Sequence, residues 1–179
     1  MEMAAYPDWA FFPRHMAPPG WITQFNESVK SSQSLIESSL HERFDSDQVL
    51  QVLRDSLVDQ GWLIEAGKKA ADKISRPVLY GDRGATKVNY EIDGWHPTHK
   101  AVLEIESGRG WQGNAFYRDL VRTSLVQDAE YLIIGLRLSY SYASVKNQND
   151  YQKALDQMDA IFASGRLQLT FKGILIFGW

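Results

Sequence analysis

Three carboxylates lie in the middle of the chain at spacings that suit metal or acid–base chemistry: Asp93, then Glu104 and Glu106, with Ile105 between the last two. Carboxylate oxygens bind hard cations such as Mg²⁺, and paired carboxyl groups also act as general acids and bases. The 179-residue chain contains no cysteine, which excludes thiolate nucleophiles, iron–sulfur clusters and cysteine-bound zinc. The residues therefore indicate chemistry that depends on carboxylates and, where a metal takes part, on oxygen ligands.

Two short segments with the composition of β-strands carry these acids, residues 87–93 and 101–106. Residues 94–100 between them contain a proline and two histidines, and we expect this stretch to be the hairpin loop of an antiparallel pair. Side chains alternate between the two faces of a strand, so the acids of each strand share one face. Both sets of acids are then expected on the same side of the sheet.

A register that pairs Asp93 with Glu104 in this hairpin also pairs Glu91 with Glu106, so that four carboxylates form one patch. Like charges directly opposite each other destabilise a sheet by up to about 1 kcal/mol per pair. A bound divalent cation would account for such a patch, and so would neighbouring lysines and arginines or simple exposure to solvent. A metal site and a solvated outer face both remain open at this point.

A polar helix follows the acids along the chain. Residues 107–110 contain two glycines, and a helix of about residues 111–127 is expected after them. Asn114, Arg118 and Arg122 recur at a spacing of four in it, which places one amide and two guanidinium groups on one face. Such a face beside a carboxylate patch is typical of a site where a phosphate meets a metal. A merely solvated helix face is the alternative.

The rest of the chain must supply the elements that position these groups. Residues 1–20 contain four prolines and are predicted to form an irregular arm. One helix is expected within residues 22–44. A second helix is expected from a cap at residue 45 or 46 to Gly61.

The second half of the chain has the pattern of an α/β domain. A strand near residues 78–80 precedes the two acidic strands, and the three are expected to form a meander. The apolar runs 131–136 and 173–177 are typical of strands buried on both faces, and a helix is expected at about 149–163 between them. This order predicts a mixed sheet of about five strands with helices on both faces.

With these elements in place, the motif resembles that of a known group of enzymes. Asp93, then ten residues, then Glu104-Ile105-Glu106 on consecutive strands before a helix and a buried strand resembles the PD-(D/E)xK nuclease superfamily. Glu106 stands where that motif usually has a lysine, which resembles the E-x-E variant of Bam-type and Bgl-type restriction endonucleases. The likeness covers about residues 76–137.

The resemblance implies one restriction-endonuclease-like domain over residues 1–179, with the irregular arm at 1–20, a helical segment at 21–65 and a nuclease core at 76–179. It also implies a Mg²⁺ cofactor, for which Mn²⁺ can substitute. Asp93, Glu104 and the backbone carbonyl of Ile105 would then be the metal ligands. Glu106 would orient or deprotonate the attacking water, or bind a second metal.

The resemblance implies two further groups of site residues. An additional acid from the N-terminal helices or the first strand would assist the metal site. Its candidates are Glu65, Asp82 and Glu91. Other polar residues would contact the substrate backbone or hold the carboxylates in place. These are Arg109, Asn114 and Arg118.

The activity implied is Mg²⁺-dependent hydrolysis of phosphodiester bonds in double-stranded DNA, as in a type II restriction enzyme. A homodimer is expected, because one active site cuts one strand and a duplex has two. The net charge is −3, yet residues 66–125 carry a local excess of bases that suits a polyanion. No apolar run is long enough to cross a membrane, and we expect a cytoplasmic protein. The alternative is an inactive nuclease-like module that binds nucleic acid or another protein.

Overall fold

A six-stranded mixed sheet forms the centre of the molecule, and helices cover both of its faces. The structure is a computed structural model that describes residues 8–108 and 114–179. In this described part the strands are, in chain order, β1 (Trp9–Phe12), β2 (Leu63–Ile64), β3 (Ile74–Tyr80), β4 (Thr86–Ile92), β5 (Gly94–His96), β6 (Ala101–Ile105), β7 (Tyr131–Leu136), β8 (Tyr140–Tyr142), β9 (Val145–Gln148) and β10 (Gly173–Gly178). The helices are α1 (Gly20–Ser31), α2 (Gln33–Ile36), α3 (Ser46–Asp59), α4 (Ala115–Ser124) and α5 (Asp150–Ser164).

The strand order of the central sheet is β1-β10-β7-β6-β5-β2. The adjacent strands β10, β7 and β6 are parallel. The other pairs, β1 with β10, β5 with β6 and β2 with β5, are antiparallel. The predicted mixed sheet is confirmed, with six strands in place of about five. One added strand is β1, which lies in the stretch predicted to be an irregular arm. It is an edge strand that hydrogen-bonds along β10, and Pro13, which cannot donate to a ladder, follows its last residue.

The sheet separates two apolar cores, and β6 contributes to both. Ala101, Leu103 and Ile105 pack with α1 and α3 on one face, and Val102 packs with α4 and α5 on the other. This alternation was expected from the sequence. It places Glu104, which is in phase with Val102, on the side of the sheet that α4 covers.

The helical segment agrees with the sequence in α3 and differs before it. Asp45 caps α3 through a capping box with Gln48, as expected for a helix that begins there. One helix was predicted within residues 22–44. The structure has helix α1 there, which ends at Ser31, and then the single helical turn α2. Serines at the break bond to the backbone and compete with helical hydrogen bonds, as Ser31 does with the Ser28 carbonyl at 2.9 Å.

The predicted three-strand meander is wrong, because β3 and β4 form a separate two-stranded sheet. From here on, the arm means this β3–β4 sheet and not the N-terminal segment of residues 1–20. The chain bends at Asp93, after which β5 joins the central sheet beside β6. The expected hairpin loop at 94–100 is therefore shorter. Its first three residues are β5, and residues 97–100 make the turn. A second small hairpin, β8–β9, was not expected from the sequence. No helix in the described residues is both long and apolar enough to span a membrane.

Candidate active site

The acids of the motif meet in an open cavity of about 330 Å³ bounded by β6, the base of the arm and α4. Six carboxylates line it: Glu65, Glu91, Asp93, Glu104, Glu106 and Asp119. Three basic side chains line it as well: Lys73, Arg118 and Arg122. The cavity therefore combines possible metal ligands with possible phosphate contacts.

The bend at Asp93 brings this residue beside Glu104. The pairs between β5 and β6, such as Gly94 with Leu103, continue the predicted register of Asp93 opposite Glu104. Space is tight next to the bend, since an added Cβ at Gly94 would lie 2.9 Å from Ile64 Cδ1 and 3.1 Å from Leu103 Cβ. Asp93 Oδ2 accepts a hydrogen bond from the backbone N–H of Ile105 at 2.7 Å. Asp93 is thereby fixed to the strand that carries Glu104.

Glu106 is turned toward α4. Its backbone N–H donates to the Gly135 carbonyl at 2.9 Å, which continues the pairing of β6 with β7. Its Oε1 accepts a hydrogen bond from Arg118 Nη2 at 2.6 Å. The charges of Asp119 and Asp93 also lie near it, so Glu106 is surrounded by acids as well as by one arginine.

Burial and crowding of like charges raise the pKa values of these carboxyls. Burial is the largest cause of the rise in the Asp93 pKa to about 7, and the hydrogen bond from Ile105 opposes it. Burial, followed by the negative charges of Asp93 and Asp119, raises the Glu104 pKa well above its usual range. Burial and the neighbouring carboxyl of Asp119 raise the Glu106 pKa to about 8. The acids therefore destabilise one another when ionised, and a cation would relieve this repulsion.

The oxygen atoms at the base of the cavity meet some of the requirements for binding a hard divalent ion. Asp93 and Glu104 offer carboxylate oxygens, and Glu104 accepts no hydrogen bond from any residue that the structure describes. Within the described ranges, no three Asp, Glu or His side chains are grouped closely enough to hold a metal ion. Glu106 is bonded to Arg118 of α4. Metal ligation by Asp93, Glu104 and the Ile105 carbonyl stays a prediction.

The structure separates the three candidates for the additional acid. Glu65 and Glu91 line the cavity, although Glu91 does not pair with Glu106 as predicted, because β4 belongs to the arm. Asp82 is outside the site. It begins the turn Asp82–Gly84 at the tip of the arm, and strands of seven residues carry that tip roughly 20 Å from the base.

The predicted substrate contacts also have different positions. Arg118 lines the cavity. Asn114 lies outside its wall, exposed, in a left-handed conformation with φ of 53° at the start of α4. Arg109 lies outside the described residues.

Arg122, from the predicted polar helix face, also lines the cavity, as do Lys73 and Asp119, which the sequence did not single out. Lys73 begins the arm and is ion-paired with Glu65, and no hydrogen bond links it to Asp93 or Glu104. Arg122 donates to the Glu91 carbonyl at 3.2 Å and lies over the Tyr90 ring. Asp119 is buried.

The sequence contained a signal for Asp119. It lies on the apolar stripe of α4, three residues after Phe116 and four before Thr123, and all three side chains are buried. A carboxylate at a position that helical periodicity assigns to the core requires a partner, because burial of an unpaired charge is costly.

The pKa values lead to a prediction about pH and metal. The unfolded chain has carboxyl pKa values near 4, whereas those of Asp93 and Glu106 are about 7 and about 8 in the fold. Between about pH 4 and about pH 8 the native state binds more protons than the unfolded state does. The free energy of unfolding without metal therefore decreases as pH rises through this range. Mg²⁺ binds the ionised carboxylates, so its stabilising effect should grow with pH over the same window.

Thermal unfolding in EDTA and in Mg²⁺, from about pH 5 to about pH 9, measures this difference. A melting-temperature increase in Mg²⁺ that is the same at every pH would contradict the coupling. Ca²⁺ serves as a control for a divalent ion of different size.

No protein-family model matches the chain, and no curated protein matches it by sequence. Solved structures do resemble it. Restriction endonuclease BglII complexed with a DNA 16-mer has a TM-score of 0.53, with 16% identity over 96% of this chain and 77% of that one. Free BglII has a TM-score of 0.49, with 13% identity over 96% of this chain and 78% of that one. The central mixed sheet with its flanking helices is thus similar to the fold of the restriction endonuclease BglII.

Proposed function

We propose that the protein is a divalent-metal-dependent endonuclease that hydrolyses phosphodiester bonds in double-stranded DNA, in the manner of a type II restriction enzyme. The observation that carries the proposal is the position of Asp93 beside Glu104 at the floor of a cavity that Arg118 also lines. The similarity of the fold to BglII, which was solved with DNA, supports DNA as the substrate.

The chain would hold Mg²⁺, or Mn²⁺ in its place, through Asp93, Glu104 and the Ile105 carbonyl. When bound, such an ion lowers the pKa of a coordinated water and neutralises charge on a phosphate. The cavity is open to solvent, so a phosphate would reach these ligands through its opening. Because the ligands are oxygens alone, the site suits a hard ion.

Glu106 corresponds to the second acid of the E-x-E variant. In the proposed hydrolysis the water oxygen bonds to phosphorus and Glu106 orients the water or takes its proton. The bond to the leaving sugar oxygen breaks, and that oxygen takes a proton from solvent. A general base must be ionised, and the bond from Arg118 favours the ionised form of Glu106, against the burial that raises its pKa to about 8. A carboxylate cannot supply positive charge, and Arg118 and Lys73 are the basic groups that would stabilise the developing negative charge.

The proposal extends to assembly and location. One cavity cuts one strand, so cleavage of both strands calls for a homodimer, which sedimentation measurements with and without DNA would detect. A DNA substrate is consistent with a cytoplasmic location.

The direct test is incubation of the purified protein with plasmid and long linear DNA of varied sequence. Nicked and linear products are expected with Mg²⁺ or Mn²⁺, and intact DNA with EDTA. The same products should form as the protein is purified further, which excludes a contaminating nuclease. The Asp93→Asn variant should form none. DNA that remains intact in both metals across this range of sequences would contradict nuclease activity.

A nuclease-like module that binds DNA or a partner protein without cutting is the second candidate. The bond between Glu106 and Arg118 favours it, since it pairs the third acid with a base of the protein. Calorimetry separates the two functions. A nuclease should bind Mn²⁺ with an affinity that Asp93→Asn removes, whereas an inactive module should give the same heat of Mn²⁺ addition in both forms.

A further inference from the structure

Asp119 is a carboxylate that enters the cavity from a helix. It lies in the middle of α4, and 2% of its side chain is exposed. The other described acids of the cavity come from strands or from residues next to them. The motif on the sheet therefore does not account for Asp119.

Asp119 is bonded to the arginine that precedes it. Arg118 Nε donates to Asp119 Oδ1 at 3.0 Å, and Arg118 Nη2 lies 3.5 Å from Oδ2. The same Nη2 donates to Glu106 Oε1 at 2.6 Å. One guanidinium thus links a buried carboxylate of α4 to the acid that follows β6.

The geometry of the guanidinium leaves one of its nitrogens available. The contacts above use Nε and Nη2, and no residue that the structure describes accepts a hydrogen bond from Nη1. The Arg118 side chain is 52% exposed, so this planar group lies at the boundary between the cavity and solvent. A guanidinium that is fixed along its Nε edge presents its other N–H groups in a set direction, which suits a phosphate oxygen.

We propose that Asp119 is a positioning residue that orients Arg118, so that the guanidinium holds Glu106 in the free protein and directs its Nη1 group toward a phosphate of the DNA. The role rests on the proposed nuclease function. Asp119 acts through Arg118 and touches neither the substrate nor the metal.

A double-mutant cycle tests whether Asp119 acts through Arg118. Asp119→Asn keeps the shape of the side chain and removes its charge. We expect it to slow single-turnover cleavage by about 10- to 100-fold, as is typical when a group that orients a site residue is lost. In a protein that already carries Arg118→Met, Asp119→Asn should slow cleavage by less than about threefold more, because the guanidinium that Asp119 orients is absent. An equal loss in both backgrounds would overturn the proposal.

A second measurement needs no activity. In the ¹H–¹⁵N spectrum of arginine side chains, the Arg118 Nε–H signal, identified by its loss in Arg118→Met, should be shifted and protected from exchange. It should move toward the position of a free arginine in Asp119→Asn and stay largely in place in Glu106→Gln. An Arg118 signal that Asp119→Asn leaves unchanged would overturn the proposed orientation.

Controls separate positioning from stability and from the function itself. Asp159→Asn breaks another Arg–Asp pair, with Arg14 on the exposed surface, and should leave the cleavage rate unchanged. Asp119→Asn should retain the cooperative thermal unfolding of the wild type. Loss of cleavage that follows loss of the folded state would overturn a positioning role. A wild-type protein that cuts no DNA would contradict the nuclease function, and the arginine spectrum would still decide whether Asp119 orients Arg118.

Discussion

Replacement of Glu104 by glutamine is expected to abolish DNA cleavage and, in the absence of metal, to make the protein more stable. Cleavage should fall by about a thousandfold or more, since a proposed metal ligand and its charge are both lost. Stability should rise because burial and the charges of Asp93 and Asp119 disfavour an ionised carboxylate at this position. Glutamine has a similar shape and no charge to bury.

The pH dependence gives the sign of the stability change. The Glu104 pKa is raised in the fold, so the carboxyl contributes most to stability at pH values below its unfolded pKa of about 4.3, and this contribution is lost as pH rises. The advantage of Glu104→Gln in EDTA should therefore be small near pH 5 and grow toward pH 8, as measured by thermal unfolding. Glu27→Gln, at an exposed position on α1, is the matched control for both activity and stability. A Glu104→Gln variant that cuts at the wild-type rate would contradict the proposed metal ligand.

Replacement of the neighbouring Leu103 by alanine is expected to have the opposite effect on stability. Leu103 is fully buried in the core between the central sheet and helices α1 and α3. The free energy of unfolding should decrease by about 2–5 kcal/mol, because apolar contacts are lost and a cavity remains. For a chain of this size the melting temperature should fall by roughly 5–15 °C.

Chemical denaturation of Leu103→Ala and of Leu167→Ala checks this expectation. Leu167 is 47% exposed, so its truncation should change the free energy of unfolding by less than about 0.5 kcal/mol. Equal losses in the two variants would show that Leu103 is not a core residue. Residues 103 and 104 are adjacent on β6 and face opposite sides of the sheet. Opposite changes in stability would therefore also verify the alternation from which the site was predicted.

Regular elements were predicted well because local chemistry determines them. Asp45 supplies the cap that begins α3, and Gly61, with φ of 94°, follows its end. The runs of apolar residues that form β7 and β10 lie at the predicted positions, since a strand buried on both faces must be apolar throughout. Helix α5 also agrees with its periodicity.

Contacts between distant segments were predicted less well. The bend at Asp93 directs β4 into the arm, so Glu91 does not face Glu106, and Asp82 is carried away from the cavity. The sequence pattern of β4 fits a strand of either sheet. The packing of the whole chain decides which strand pairs with β4. The periodicity of a single segment carries no information about this partner.

The sequence alone determined which face of β6 carries the acids and placed Asp93 in register with Glu104, because side-chain alternation and antiparallel pairing are local rules. The tertiary structure decided that Arg118, which is bonded to Asp119, also bonds Glu106, and that Lys73 enters the cavity beside Glu65. These contacts join α4 and the arm to the sheet. They depend on the relative positions of elements, which are set by burial of the two cores and not by the residues of the motif.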